Sequence, residues 1–231
     1  MLHEANSTPR ARRRDANLSR ILDAAMDLIA TWGLEALSMA RLADAVDYTA
    51  GALYRYFPSK DALLAALVAQ VLDEVQLALT TAEASLSSTA TPLTRVVALA
   101  QGYRRFAHAR PHAFGLLAST LAEPRVLLTG ADAQPVVERA IALLELLANA
   151  LGEAAAKGLL DAATGDDELE RTLVLFSTLQ GLLQLQKQAR FSKALLDLGP
   201  LVNHAVRALL IGWGAKAKTV DAALAALPGG V

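Results

Sequence analysis

The sequence predicts an all-α protein, and three observations favour this fold class. Hydrophobic residues make up 54% of the 231 residues and aromatic residues only 5%, so the apolar content is mainly Ala, Leu and Val, which suits packed helices better than sheets. Apolar positions recur at three- and four-residue steps, which is the period of an α-helix. The alternation typical of a half-buried strand is not found, and neither is an internal repeat.

The composition also narrows the chemistry. The chain has no cysteine, which excludes disulfides, zinc-thiolate sites and thiol catalysis and is compatible with a reducing cytoplasm. No uninterrupted apolar run reaches the roughly 18 residues that a membrane span needs, and the start of the chain lacks the apolar segment of a signal peptide. We therefore expect a soluble, cytoplasmic protein that has no membrane contact and no cofactor.

The first sixty residues predict three helices with a tight turn between the second and the third. An apolar face that begins at Leu18 is followed by Gly33, which is a natural helix stop. Ser38 and Thr49 are predicted N-caps of the second and third helices, and Pro58 ends the third. The three predicted helices cover residues 18–32, 39–46 and 50–57.

This layout predicts a helix-turn-helix, the arrangement that places one helix in the major groove of DNA. In the third helix Ala50, Leu53 and Phe57 fall on one face, which we expect to pack on the first two helices. Two tyrosines and an arginine on the exposed face suit contacts with phosphates and base edges. The positions predicted to point outward are Gly51, Ala52, Tyr54, Arg55 and Tyr56.

The net charge of −1 is unevenly distributed along the chain. Residues 1–14 contain four arginines and one glutamate, a local charge of +3, whereas residues 15–60 carry −2. Any affinity for DNA therefore depends on a few well-placed cations. Residues 1–14 are predicted to be a disordered basic arm. Whether Arg10–Arg14 contact the DNA backbone, enter a minor groove or form a solvated tail stays open.

Residues 61–231 predict a larger helical region. Ser59 can cap a fourth helix over residues 60–84. The last two helices carry apolar side chains around more of their circumference than one core can use, and such surplus usually closes against a partner. The later helices are predicted at about 93–109, 112–122, 135–156, 167–189 and 200–213.

The segment 33–60 resembles the DNA-binding domain of the TetR family of bacterial regulators. The resemblance is carried by Gly33, by SMARLA at 38–43 and by GALYRYFPSK at 51–60. It implies an amino-terminal helix-turn-helix domain over 15–60, followed by a helical ligand-binding and dimerisation domain over 61–231. It further implies a repressor that binds a palindromic operator in double-stranded DNA as a homodimer and responds to a small molecule.

The resemblance also implies roles for residues of the head. Ser38, Tyr54 and Lys60 would hold backbone phosphates, while outward positions of the third helix read bases. We predict Arg55 as the base reader, because arginine pairs bidentately with guanine. The remaining candidate DNA contacts are Thr49, Ala50, Gly51, Arg41 and Tyr56.

One position departs from the family pattern. The turn usually contains glycine, and here it contains Asp47. Aspartate tolerates a left-handed conformation better than most residues, so we expect the turn to form. The next residue, Tyr48, is predicted either to be partly buried or to reach the DNA edge.

The resemblance extends to pairing and sensing. It implies a four-helix dimer interface made by the last two predicted helices, and an effector pocket enclosed by the fourth to seventh helices, where aromatic faces and a few polar tips mix. The interface candidates are Leu173, Phe176, Leu183, Val202, Val206, Leu209 and Trp213. The pocket candidates are Tyr103, Phe106, Phe114, Leu117 and Gln180. No residue identifies the effector, the operator or the regulated genes.

Two other functional classes are weaker. An enzyme is disfavoured, because the chain has no nucleophile elbow, no glycine-rich phosphate loop and no paired acids. A metal pair at His108 and His112 is disfavoured by the proline between them. A helical protein-protein adaptor would explain the surplus apolar surface but not the Tyr54–Lys60 surface. The salt dependence of binding distinguishes the DNA-binding regulator from the adaptor, since only DNA binding weakens steeply with ionic strength.

Overall fold

The computed structural model describes residues 8–122, 133–162, 165–186 and 197–227. Within these ranges the chain forms helices and no strand, which confirms the all-α fold class. A short 3-10 turn, Leu34–Ala36, follows the first helix. In chain order the helices are α1 (Pro9–Trp32), α2 (Met39–Ala45), α3 (Ala50–Leu53), α4 (Lys60–Ala84), α5 (Pro92–Ala109), α6 (Pro111–Ala122), α7 (Gln134–Ala156), α8 (Gly165–Gln184), α9 (Leu198–Gly212) and α10 (Ala217–Ala225).

The chain divides into two compact units. The head contains the described residues within 1–70 and 119–136, and the body contains those within 71–118 and 137–231. In the head, α1 packs on the 3-10 turn and α2, and α2 packs on α3. Ile21, Leu42 and Leu53 are fully buried there, so each of these three helices contributes a side chain to one core. In the body, α5 contacts α8, α9 and α10.

α1 begins at Pro9 rather than at Leu18, so the prediction of a disordered arm is wrong for residues 9–14. The Thr8 hydroxyl accepts a hydrogen bond from the Ala11 amide at 3.2 Å, and proline occupies the first turn. Both features favour a helix start, and arginine is a good helix former. The apolar period could not reveal these turns, because they bury no side chain. Residues 1–7 lie outside the described ranges.

α4 begins and ends where the sequence predicted. The Ser59 hydroxyl accepts a hydrogen bond from the Ala62 amide at 3.0 Å, as expected of a cap. Among the described helices, α4 alone is long and apolar enough to cross a membrane, yet 56% of its apolar window is buried inside the protein. A helix that is apolar around most of its circumference is what a protein core requires.

α10 was not predicted. It packs on α5 and α9, and its buried side chains are Val220 and Ala223. A pair of guanidinium-carboxylate contacts joins Arg207 of α9 to Asp221, with an Nε–Oδ1 distance of 2.7 Å. The segment AKTVDAALAAL at 217–227 is rich in alanine and leucine, which favour a helix, but its buried apolar positions are too few to show a helical period. The predicted end of α8 at residue 189 lies outside the described residues.

Arg95 connects three helices of the body. Its guanidinium lies 2.7 Å from Glu83 of α4 and 2.7 Å from Glu153 of α7. The contact with Arg95 holds the pKa of Glu153 below its usual value. Because Glu153 is exposed, water screens this pair, and its contribution is to orientation more than to stability.

Candidate functional site

The turn of the helix-turn-helix forms as the sequence predicted. Ser38 caps α2 by accepting a hydrogen bond from the Arg41 amide at 3.2 Å, and Thr49 caps α3 by accepting one from the Ala52 amide at 3.2 Å. Asp47 adopts a φ of 57° and is the one non-glycine residue with positive φ in the described part of the chain. The left-handed turn therefore forms without the usual glycine, at a modest cost in strain.

α3 is one turn long and is anchored by two apolar side chains. Leu53 and Phe57 are buried, as predicted. The chain continues in turns after Leu53, and the Phe57 amide donates to the Leu53 carbonyl at 3.0 Å. Ala50 is exposed, which corrects the prediction that it packs on the first two helices. It lies in the first turn of α3, beyond the reach of the core under Leu53.

The exposed side of α3 and of the turns that follow it presents the predicted contact residues. Tyr54 is 48% exposed, and Gly51 and Arg55 are exposed as well. Lys60 is half-buried at the start of α4, where free backbone amides also favour an anion. On this unit the structure thus leaves the Tyr54 phenol and the Arg55 guanidinium exposed, with Lys60 half-buried.

The hydroxyls of Ser38 and Thr49 have two functions available to them. Each oxygen accepts the capping hydrogen bond described above, which leaves its O–H free to donate to a phosphate oxygen. Both residues are exposed. Arg41 is also exposed, and its Nη1 donates to the Ala36 carbonyl at 3.4 Å. This contact holds the guanidinium against the 3-10 turn that precedes α2.

Tyr48 is partly buried, which is the first of the two predicted alternatives. The Tyr48 ring stacks on that of Tyr56 with centroids 6.1 Å apart. The guanidinium of Arg20, a residue of α1, lies 5.2 Å from the centroid of the Tyr48 ring. Asn17 Nδ2 donates to the Tyr56 hydroxyl at 3.3 Å. Tyr56 is therefore half-buried and positions the turn after α3 against α1, a role that sequence reasoning missed.

In the body, the structure brings together three of the five predicted pocket residues. The Tyr103 hydroxyl donates to Gln180 Oε1, and the Phe114 ring meets the Tyr103 ring edge-on with centroids 5.9 Å apart. Burial raises the pKa of Tyr103 above its usual value, so the phenol stays protonated and can donate. Phe106 and Leu117 are buried too. The cluster is apolar with one polar tip.

The side-chain amide of Gln180 has a hydrogen-bond donor without an acceptor among the described residues. The residue is 6% exposed, and its buried Nε2 has no hydrogen-bond partner among the described residues. A buried amide hydrogen without an acceptor costs about 1 to 3 kcal/mol. Phe176, predicted to lie in the dimer interface, instead turns its ring toward Tyr103, with centroids 6.2 Å apart.

Three of the predicted dimer-interface residues belong to the core of the single chain. Leu183, Val202 and Val206 are buried within the body, so a second copy could not cover their side chains, and this part of the prediction is wrong. The sequence showed that α8 and α9 are apolar on several sides but not which side faces α5. The outward apolar residues on α8 are Leu169, Leu173 and Val174, with Leu209 and Trp213 half-buried on or after α9.

Two family models match the chain. One, described as bacterial regulatory proteins of the tetR family, matches residues 21–67, which include the capped turn and the Tyr54–Arg55 surface. The other, described as a tetracyclin repressor-like C-terminal domain, matches residues 96–209 of the body. The two matches follow one another in the same order as the head and the body.

Individual proteins are similar over parts or all of the chain. The HTH-type transcriptional repressor KstR of Rhodococcus jostii (strain RHA1) is 43% identical over 56 residues, 24% of this chain and 26% of that protein. KstR of Mycobacterium tuberculosis (strain ATCC 25618 / H37Rv) is 53% identical over 45 residues, 20% of each. The chain thus matches about a quarter or less of these relatives' length. A solved protein of unknown function from Rhodococcus sp. RHA1 shares the fold, with a TM-score of 0.69 and 24% identity over 92% of this chain and 99% of that one.

Proposed function

Because the chain belongs to the TetR family of bacterial transcriptional regulators, we propose that it is a repressor that binds a palindromic operator as a homodimer and is released by a small, largely apolar molecule. The observation that carries the proposal is the exposed Tyr54–Arg55 surface beside a capped helix-turn-helix. The name of the similar KstR proteins supports repression rather than activation. Such a protein would work in the cytoplasm, where its DNA partner lies.

In this proposal the head residues have two roles: clamps bind backbone phosphates, and readers contact the edges of bases. Ser38, Tyr54 and Lys60 hold phosphates through hydroxyl and ammonium groups, and Arg41 and Tyr56 support them. Phosphate contacts set the register of the protein on the duplex but carry no base information. Arg55 reads guanine, since its guanidinium fork matches the two acceptors of guanine in the major groove. Thr49, Ala50 and Gly51 approach closely enough to contact neighbouring bases.

The test is selection of random duplexes by purified full-length protein. Wild type is expected to enrich a palindrome. Arg55→Ala should relax selection at one position of each half-site, with a loss of about 1 to 3 kcal/mol for the preferred base. Tyr54→Phe removes one hydroxyl, so it should weaken binding uniformly across sequences. Dissociation constants at fixed ionic strength measure both effects.

Arg105→Ala provides the matched control, because Arg105 is an exposed arginine of the body. It is expected to bind like wild type. If wild type enriches no sequence even at low salt, the head does not read DNA and the helical adaptor becomes the better function. If Arg55→Ala weakens binding without changing base preference, Arg55 is a clamp and not a reader.

The effector site we propose is the Tyr103 cluster of the body. Two aromatic rings and a buried, unpaired amide donor suit a ligand with an apolar body and one acceptor oxygen, such as a carbonyl or carboxylate. The ligand would accept the hydrogen bond that Gln180 Nε2 lacks in the described structure. Release follows if the ligand prefers a conformation of the dimer that does not fit the operator.

The dimer we propose uses the outward apolar residues of α8 and the end of α9. Leu173→Asp is expected to raise the dimer dissociation constant about a hundredfold, because burying an unpaired carboxylate at an interface costs roughly 3 kcal/mol. Leu77→Asp is the control, since Leu77 of α4 is 67% exposed. Sedimentation over a range of protein concentrations measures both. Equal behaviour of the two variants would place the interface elsewhere.

A further inference from the structure

A cationic concavity lies in the head, between the start of α1 and the turn after α3. Its volume is about 360 Å³. The lining holds four guanidinium groups, one amide and one phenol, and no carboxylate. The lining residues are Arg10, Arg13, Arg14, Asn17, Arg55 and Tyr56, which we call the arginine cradle.

The α1 side of the cradle is a single stripe. Residues 10, 13, 14 and 17 are separated by steps of three and four, so they share one face of the helix. Like charges at this spacing repel one another and destabilise a helix unless an anion is near. Among the described residues, no carboxylate forms an ion pair with a guanidinium of the cradle.

The two walls of the cradle are fastened to each other. Asn17 of α1 donates to the Tyr56 hydroxyl at 3.3 Å, and Tyr56 stacks on Tyr48. Arg20 of α1 lies over Tyr48 and donates to the Val46 carbonyl at 3.4 Å. The arginines of α1 and Arg55 are therefore held near one another before any ligand arrives, which lowers the ordering cost of binding.

We propose that Arg10, Arg13 and Arg14 of the arginine cradle bind phosphates of the DNA backbone next to the bases that Arg55 reads. The inference rests on the proposed function and extends it, because it assigns Arg10, Arg13 and Arg14 as clamps on a helix rather than as a flexible arm in a minor groove. The planar guanidinium fork matches two phosphate oxygens at once. An exposed cluster of positive charge that no carboxylate of the described ranges pairs with is complementary to a polyanion.

The test compares Arg13→Gln with Arg12→Gln in the full-length protein. Both substitutions remove one charge from α1 and keep a good helix former, but Arg12 does not line the cradle. Dissociation constants are measured against salt concentration, on the enriched operator and on an unrelated duplex. Arg13→Gln is expected to weaken binding about tenfold on both duplexes and to lower the salt slope by about one for each subunit that makes the contact. Arg12→Gln should leave the slope unchanged.

The outcomes separate the cradle from the repressor function. If Arg13→Gln keeps the wild-type salt slope on both duplexes, or loses no more affinity than Arg12→Gln, the cradle does not hold phosphates, even though the protein still selects the palindrome. If the salt slopes change as expected but the operator and the unrelated duplex bind with equal affinity, phosphate binding by the cradle is supported and sequence-specific binding by the head is contradicted. If Arg13→Gln changes base preference at one position, the cradle enters a groove and the proposal is wrong. Circular dichroism of both variants checks that α1 remains helical.

Discussion

Replacing Leu53 with alanine is expected to lower the free energy of unfolding of the head by about 2 to 5 kcal/mol and to abolish operator binding. Leu53 is fully buried, and α3 is only one turn long. A helix this short has no stability of its own, so its position depends on Leu53 and on the neighbouring Phe57. Denaturant unfolding followed by circular dichroism, together with operator binding, measures the two effects.

Leu121→Ala is the matched control for this variant. Leu121 belongs to the head and is 46% exposed, so its truncation should change stability by no more than about 0.5 kcal/mol. If Leu53→Ala proves as stable as Leu121→Ala and still binds the operator, α3 is held by something other than its apolar anchor. Loss of binding without loss of stability would give Leu53 a direct role in positioning the contact surface.

Tyr103→Phe is expected to destabilise the body by about 1 to 3 kcal/mol, although it removes a single oxygen atom. Without the phenol, Gln180 Oε1 loses its donor and joins Nε2 as a second buried atom without a partner. Gln180→Leu alone leaves the Tyr103 hydroxyl without its acceptor but also removes the unpaired Nε2, so the two effects should offset and stability should stay within about 1 kcal/mol of wild type. The double variant Tyr103→Phe/Gln180→Leu should be at least as stable as wild type, because replacing both partners by apolar groups is nearly neutral and the unpaired Nε2 is lost as well.

A double-mutant cycle in denaturant measures this coupling, with Tyr54→Phe as the control for loss of an exposed phenol. A change in the double variant equal to the sum of the two single changes would mean that the two side chains are not coupled. The double variant also tests the proposed effector site. It should still bind the operator, while a ligand that releases wild type should no longer release it.

The sequence predicted features that depend on neighbours along the chain. The caps at Ser38 and Thr49, the left-handed turn at Asp47 and the start of α4 after Ser59 each need only a few adjacent residues. The helical period was sufficient for the all-α fold and for most helix bounds. Burial of Leu53 and Phe57 followed from the same period.

Features that depend on distant residues were not predictable in the same way. Leu183, Val202 and Val206 were assigned to a partner because several sides of α8 and α9 are apolar, and only the packing on α5 shows which side is internal. The stacking of Tyr48 on Tyr56, and the contact of Asn17 with Tyr56 across 39 positions, need the folded chain.

The amino-terminal end of α1 is held by one hydroxyl, that of Thr8, and by the ring of Pro9. The turns before the hydrogen bond of Asn17 to Tyr56 bury no side chain, so their order depends mainly on helix propensity and capping, which weaken on warming. Heat should therefore unwind this end residue by residue, from Arg10 inward, well before the core of the head melts. If Arg10, Arg13 and Arg14 hold DNA, these contacts should weaken gradually over the temperatures at which the head is still folded, and operator binding should weaken with them.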